Sequence, residues 1–299
     1  MARPAPAVNR ALKIIDLLVS HPTERFTLSQ LVQRTGISLG SAHAVLAVLE
    51  QSGYVSRHRV QKTYALGPAL VAAGVAALSQ HPAIRVATER LPKLAAELGA
   101  EALVTAATPT EIIFVARAGD PSPYGPVIRE GERVPLVPPL GAVFMAWSDD
   151  GEKEAWLQRA PLHAQADRDR YERLLAAVRE RGCSISTASR TQYTVGDVAA
   201  SLADSPSRDE LRAELDETLA TLAADTEYGV ASLSPERTYD IGMIAAPVFD
   251  SDSRVLAAIV GTGFEPGLPA GEVARRAEII RRCAIVVTKH TQGRPPQQA

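Results

Sequence analysis

The sequence predicts an α+β protein of two domains, a small helical domain with a hairpin followed by a larger domain built on an antiparallel sheet. Three observations support this prediction. The length of 299 residues exceeds what one typical hydrophobic core holds. Residues 1–66 carry a formal charge of about +5 and residues 67–299 one of about −7, an asymmetry that indicates two different surfaces. The pattern also changes from short amphipathic helices to β-branched strands after Gly99.

The first domain, residues 1–67, is predicted to contain three short helices and a hairpin. Apolar residues recur at helical spacing in each helical segment, and residues that favour helix ends separate them. The predicted elements are a helix from Asn9 to Pro22, a helix after the N-cap residue Thr27 that ends at Gly36, a helix from Ser38 to Gly53, and two short strands within residues 54–66.

The rest of the chain is predicted to hold a linker helix and the sheet domain. Strands are predicted for EALVTAAT, EIIFVARA and YGPVIRE, which are rich in β-branched or aromatic residues. A hairpin is predicted for the apolar segments IGMIAAPVFD and RVLAAIVGTGF around the turn DSDS. The predicted parts are an alanine-rich linker helix at 68–82, the larger domain at 83–292, an insertion in it at about 187–240 with a helix in its middle, and a disordered tail at 293–299.

Three short helices with a glycine-containing turn, followed by a basic hairpin, are the components of a winged helix-turn-helix. A helix in the major groove needs short polar side chains near its N-terminus to reach base edges, and a cationic hairpin supplies phosphate contacts. The sequence therefore predicts binding to double-stranded operator DNA. The candidate DNA-binding residues are Thr27, Ser38, Ser41, His43, Arg57, Arg59 and Lys62.

The chain resembles the isocitrate lyase regulator (IclR) family nearly from end to end. Its similarity to the DNA-binding half of that family lies in NRALKIIDLL, TLSQLVQRTGISLGSAHAVLAVLEQSGYV and YALG. In the second half, the segment REGERVPLVPPLGAVFMAW resembles a strand, a glycine-rich turn and a helix of the family. The family's hairpin resembles IAAPVFDSDSRVLAAIVGTG.

This resemblance implies a transcriptional regulator, either a repressor or an activator, that self-associates as a dimer or tetramer. We expect a repressor. It also implies a GAF-like effector domain that binds a small organic acid or aromatic metabolite over its sheet. Backbone N–H groups of Gly141 and Ala142 at the start of a helix suit a carboxylate, and Thr262 offers a hydroxyl. The effector-binding candidates carried over from the family are Gly141, Ala142, Met145, Met243, Ala258, Val260 and Thr262.

The sequence departs from the family pattern at several positions. Ala44 stands where the family often has an arginine, Met243 replaces a cysteine, and Val260 stands where a serine is common. The insertion at about 187–240 is much longer than the usual connection. We therefore expect an effector site that is less polar and partly covered, with an apolar or aromatic ligand.

Several other classes of protein are disfavoured. Cys183 and Cys283 are far apart and lack CxxC spacing, so neither a disulfide framework nor a metal site is expected. The first ten residues lack the apolar segment of a signal peptide, and no apolar stretch approaches the ~20 residues that span a bilayer. We expect a cytoplasmic protein without cofactor, metal or membrane contact.

Two alternative functions stay open. An enzyme acting on a small molecule in the second domain would need convergent titratable groups in its pocket. The predicted lining contains none, so we assign no catalytic residue and predict that the chain is not an enzyme. The other alternative is a winged helix that acts as a protein-interaction module. It stays open because position 44, where the family often has an arginine, is an alanine.

Overall fold

The computed structural model describes residues 5–160, 165–204 and 209–296. They form two units: the first holds the described residues of 1–80 and 197–215, and the second holds those of 81–196 and 216–299. The helices are α1 (Pro6–Ser20), α2 (Leu28–Thr35), α3 (Leu39–Gln51), α4 (Pro68–Gln80), α5 (Pro82–Leu98), α6 (Ala142–Met145), α7 (Asp150–Leu157), α8 (Gln165–Arg181), α9 (Arg190–Asp204), α10 (Asp209–Ala224) and α11 (Ala270–His290). The strands are β1 (Phe26–Thr27), β2 (Val55–Arg57), β3 (Thr63–Leu66), β4 (Glu101–Ala107), β5 (Glu111–Ala118), β6 (Arg133–Pro135), β7 (Ser184–Thr187), β8 (Thr238–Tyr239), β9 (Ile241–Phe249), β10 (Val255–Thr262) and β11 (Leu268–Pro269).

The first unit has the predicted three helices and hairpin in the predicted order. Its core is formed by apolar residues at helical spacing on α1, α2 and α3, together with residues of the hairpin. Strand β1, which the sequence analysis did not predict, pairs Phe26 with Tyr64 and gives a three-stranded sheet of order β1-β3-β2. The core residues are Ile14, Leu17, Leu18, Phe26, Leu31, Ile37, Ala42, Leu46, Leu49, Val55 and Tyr64.

The second unit is built on a six-stranded antiparallel sheet of order β6-β5-β4-β10-β9-β7. Side chains alternate between the two faces of each strand. On β10, Ala257 and Ile259 belong to the core that α5 and α11 share with the sheet, which leaves Ala258 and Val260 for the opposite face. Helix α6 packs on β9 and β10. The predicted α+β class is confirmed, and the sheet is antiparallel as expected.

Some segments differ from their predictions. The segment YGPVIRE is not a strand, because Pro123 and Pro126 remove N–H donors from its backbone. The insertion contains α9 in addition to the predicted helix, which is α10. The predicted tail is ordered at its start, because the backbone N–H groups of Gly293 and Arg294 donate to Thr288 and Asp250. Residues 297–299 lie outside the described residues.

Within the described ranges, none of the helices has both the length and the hydropathy to cross a bilayer.

Candidate nucleic-acid interface and effector site

The turn between α2 and α3 is fixed by interactions local in sequence. Thr27 caps α2: its hydroxyl accepts a hydrogen bond from the Gln30 N–H at 3.3 Å, and its own N–H donates to Gln30 Oε1 at 2.7 Å. Gly36 ends the helix with φ 66°, the left-handed conformation that glycine adopts without steric cost. The Thr27 side chain is therefore engaged in capping, and a DNA contact from it stays a prediction.

The N-terminal part of α3 is presented to solvent. Ser38 and His43 are exposed and Ser41 is half-buried. The Ser38 hydroxyl donates to the Ser41 hydroxyl at 3.0 Å, so the two serines are held together at the start of the helix. The outward positions also include Leu39 and Val48, which are 58% and 62% exposed.

The hairpin of β2 and β3 presents three exposed cationic side chains, those of Arg57, Arg59 and Lys62. Its turn is held by two backbone hydrogen bonds of 2.8 Å, from the His58 N–H to the Thr63 carbonyl and from the Lys62 N–H to the His58 carbonyl. The Arg57 guanidinium also lies over the Tyr64 ring, 5.5 Å from its centroid. We call this hairpin, residues 55–66, the wing.

The sequence analysis missed a further cation next to the wing. Arg25 is exposed, and its Nε donates to Thr63 Oγ1 at 3.3 Å. Arg25 lies beside the wing because it directly precedes the two-residue strand β1, which pairs with β3. A strand this short gives no periodic signal, so only an arginine preceding the N-cap of α2 was visible in the sequence.

In the second unit, the predicted effector residues on β9 and β10 come together. Thr262 pairs with Met243 in register, and Ala258, Val260 and Thr262 share the sheet face opposite α5 and α11. We call this surface of β9 and β10 the effector face. Met243 is half-buried, whereas the three β10 residues are buried.

Thr262 is already engaged in the free protein. Its hydroxyl donates to the Gly242 carbonyl at 2.8 Å and its side chain is fully buried. This differs from the expectation that Thr262 offers its hydroxyl proton to a ligand, because the proton already satisfies a neighbouring strand.

The glycine turn before α6 is sterically required. Gly141 has φ 81°, and a Cβ at this position would overlap Leu136 Cδ1. Its carbonyl accepts the Phe144 N–H at 2.9 Å. Helix α6 has four residues, so the dipole that Gly141 and Ala142 were expected to offer a carboxylate is small. Ala142 and Met145 are buried.

Polar groups that the sequence analysis did not identify lie beside the effector face. Gln192, in the first turn of α9, is 8% exposed, and its Oε1 has no hydrogen-bond partner among the described residues. A Cβ on Gly242 would be 3.0 Å from this oxygen, which places it next to the Thr262–Met243 pair. Tyr228 is buried and hydrogen-bonded to the Ser186 side chain. Burial raises the pKa of Tyr228, so its hydroxyl stays protonated.

The buried carboxylate of Glu101, on β4, is paired with an arginine. Glu101 Oε2 accepts a hydrogen bond from Arg117 at 2.7 Å, and Glu101 Oε1 accepts the Ser122 N–H at 3.1 Å. The Ser122 hydroxyl in turn donates to the Gly263 carbonyl at 2.8 Å. This network ties the loop after β5 to the end of β10. Within the described ranges, no cluster of His, Cys, Asp or Glu has the arrangement of a metal site.

Comparison with known proteins agrees with this geometry. Residues 7–59 match the family model of the IclR helix-turn-helix domain. The HTH-type transcriptional regulator XynR of Escherichia coli K12 is 23% identical over 284 residues, which are 95% of this chain and 96% of XynR. The glycerol operon regulatory protein of Streptomyces coelicolor is 27% identical over 210 residues, 68% of this chain and 81% of that protein.

Solved structures share the fold over nearly the whole chain. An IclR transcriptional regulator from Alicyclobacillus acidocaldarius has a TM-score of 0.66 at 20% identity, covering 97% of this chain and 100% of that one. An IclR homologue from Microbacterium hydrocarbonoxydans, solved with 4-hydroxybenzoate, has a TM-score of 0.62 at 15% identity and covers 96% and 99%. The chain therefore carries a helix-turn-helix of the IclR type at residues 7–59, and along nearly its whole length it is similar to transcriptional regulators and shares the fold of IclR regulators.

Proposed function

We propose that this chain is a ligand-responsive transcriptional repressor. It binds operator DNA through its winged helix-turn-helix, and it binds a small aromatic or organic-acid metabolite at the effector face. The observation that carries the proposal is the exposed N-terminal part of α3 in the same unit as a wing with three exposed cations. A helix for the major groove and cations for the phosphates are the two components that such recognition needs.

The distribution of charge supports this assignment of roles. Neutralising phosphates releases counterions, and this term supplies most sequence-independent affinity. The positive charge lies in the first 66 residues, whereas the remainder is acidic and is repelled by the duplex. The DNA contacts are therefore confined to the first 66 residues.

The effector face favours a largely apolar ligand with at least one hydrogen-bond donor. Ala258, Val260 and Met243 supply apolar surface, while the unpartnered Gln192 Oε1 needs a donor. A hydroxylated aromatic acid has this combination, and the structural relative from Microbacterium hydrocarbonoxydans was solved with a compound of that class. The predicted seven-residue lining contains no titratable side chain, which supports binding and not catalysis.

Helix α4 supports self-association as a dimer or tetramer. All ten residues from 71 to 80 are exposed, although Val71, Val75 and Leu78 are apolar. Apolar side chains along one helix are normally covered by a partner. In a dimer, the two recognition helices would meet half-sites about 34–36 Å apart.

Regulation requires that the effector has different affinities for the DNA-binding and the free forms of the protein. A ligand shifts an equilibrium only to the extent of that difference, and the DNA changes ligand affinity by the same factor. We propose that α4, between the two predicted domains in sequence, transmits this difference. Ligand titration with and without operator DNA measures the coupling directly.

The test is fluorescence anisotropy of the full chain with the DNA upstream of its own gene, between about 50 and about 200 mM salt. Changing Arg57, Arg59 and Lys62 to alanine is expected to weaken binding strongly. If each cation contacts one phosphate, the slope of log K against log salt becomes shallower by about 2.7 per protomer.

A matched control changes two arginines and one lysine that are exposed in the second unit: Arg173, Arg254 and Lys289. This variant loses the same charge and is expected to keep the salt slope. Absence of specific binding, or equal effects of the two triple variants, contradicts the proposal. A winged helix that binds a protein partner instead would show no salt-dependent affinity for DNA.

A further inference from the structure

The outward surface of α3 is unusually poor in groups that hydrogen-bond to bases. From Leu39 to Val48 the exposed side chains belong to aliphatic residues, a glycine and one histidine. The helix contains no lysine, arginine or asparagine, and its only amide side chain, that of Gln51, is its last residue. The exposed residues in this stretch are Leu39, Gly40, His43, Ala44, Ala47 and Val48.

Each base presents a different pattern in the major groove. Guanine is recognised by the paired donors of arginine or lysine, adenine by asparagine or glutamine, and cytosine by a carboxylate. Thymine also presents its C5-methyl group, which apolar side chains contact. Of these four patterns, the exposed aliphatic side chains of α3 match only that of thymine.

We propose that α3 recognises its operator half-site mainly through thymine methyl groups, contacted by Leu39, Ala44 and Val48. This inference rests on the proposed function, because it concerns which bases the same interface selects. The side chains of Leu39 and Val48 are more than half exposed, and burial of their apolar surface against a methyl group removes both from water. At about 100° per residue, Leu39 and Val48 lie at opposite edges of the exposed side of α3, with His43 and Ala44 between them. His43 and Ser41 supply the polar contacts.

Phosphate binding is then separated from base selection. The cations of the first unit that lie near the interface are on the wing and at Arg25, which hydrogen-bonds to the wing residue Thr63. Helix α3 adds one charge of its own, the negative charge of Glu50. The wing therefore positions on the duplex a recognition helix that has no lysine or arginine, and α3 contributes selectivity without adding phosphate contacts.

The experiment uses an operator obtained by selection with the full-length protein. Each thymine in the half-site is replaced in turn by deoxyuridine, which removes the methyl group and keeps every hydrogen-bonding group of the base. At thymines facing α3 we expect about a fourfold rise in Kd per substitution, the value of one buried methyl group. At thymines elsewhere in the same duplex we expect no change.

Protein variants assign the contacts. Val48→Ala and Leu39→Ala are expected to weaken binding to the natural operator and to reduce the penalty of deoxyuridine at one position each. Val127→Ala, which changes an exposed valine in the second unit, is the control and is expected to leave the deoxyuridine penalty unchanged. Because deoxyuridine changes only the DNA, the main test does not depend on any variant folding.

The outcomes separate this inference from the proposed function. If the protein binds DNA with the wing-dependent salt slope but tolerates deoxyuridine at every position, thymine recognition is wrong and the proposed function stands. If no specific DNA binding is found, both fail. If Leu39→Ala or Val48→Ala changes the mass of the free protein in sedimentation, the apolar surface of α3 is a protein contact and the inference is overturned.

Discussion

Replacing Gln192 by methionine tests whether its buried oxygen serves a ligand. A buried acceptor without a partner costs about 1–3 kcal/mol, and methionine has similar length without that acceptor. The substitution also removes the amide N–H donors, and we allow about 0.5–1.5 kcal/mol for the hydrogen bonds that they make to water. The difference predicts that Gln192→Met raises the free energy of unfolding of the second unit by about 1 kcal/mol.

Tryptophan fluorescence measures this unit selectively, because the two tryptophans of the chain, Trp147 and Trp156, both lie in it. For a unit of about 200 residues, 1 kcal/mol corresponds to a rise in Tm of about 2–4 °C. Gln158→Met is the control: Gln158 is exposed and hydrogen-bonds to Glu154. We expect this control to change the free energy of unfolding by less than about 0.5 kcal/mol.

The same variant is expected to bind the effector less well. With 4-hydroxybenzoate as the probe, loss of one hydrogen bond predicts a Kd about two- to twelvefold higher, read from the ligand-induced shift in Tm. Higher stability with weaker binding is the combined expected result. If Gln192→Met instead lowers the free energy of unfolding by more than about 1 kcal/mol, the oxygen has a stabilising contact in the free protein and the reasoning is refuted.

Three further changes have expected outcomes. Gly141→Ala combines a positive φ with overlap on Leu136, so a loss of more than about 2 kcal/mol in unfolding free energy is expected by tryptophan fluorescence. Changing Val71 and Val75 to glutamate on exposed α4 is expected to lower the mass in light scattering to that of a monomer, and an unchanged mass contradicts self-association through α4. Two neighbouring arginines depress the pKa of Glu272 from 4.5 to about 2; its stabilisation is therefore complete above about pH 4.5 and lost as pH falls towards 2. Glu272→Gln should flatten the stability profile of acid denaturation in that window, and an unchanged profile contradicts the assignment.

The parts of the first unit that could be predicted depend on interactions between near neighbours in sequence. Thr27 and Gly36 mark the ends of α2 because an N-cap and a left-handed C-terminal residue act within one turn of helix. Strand β1 escaped prediction for the opposite reason. It has two residues and exists only because Phe26 pairs with Tyr64, almost forty positions away.

The candidate site of the second unit was only partly accessible from sequence. The resemblance to the family supplied Ala258, Val260, Thr262 and Met243. Side chains alternate along β10, so the first three share a face, and the register with β9 brings Met243 beside them. The hydrogen bond from Thr262 to Gly242 and the unpartnered oxygen of Gln192 are tertiary properties. No periodicity encodes them, because the first depends on the pairing of β10 with β9 and the second on where the first turn of α9 meets the sheet.

If the wing makes the phosphate contacts and α3 makes the base contacts, salt is expected to weaken the first and leave the second unchanged. With three phosphate contacts in each protomer, a dimer has about six, and its affinity is expected to fall about a thousandfold between 50 and 200 mM salt. The contact between an aliphatic side chain and a thymine methyl group releases no counterion. The ratio of Kd values for deoxyuridine and thymine operators should therefore stay constant across that range, while both values rise together. A ratio that falls with salt would place charged groups of the protein at those bases, and the division of labour between the wing and α3 would be wrong.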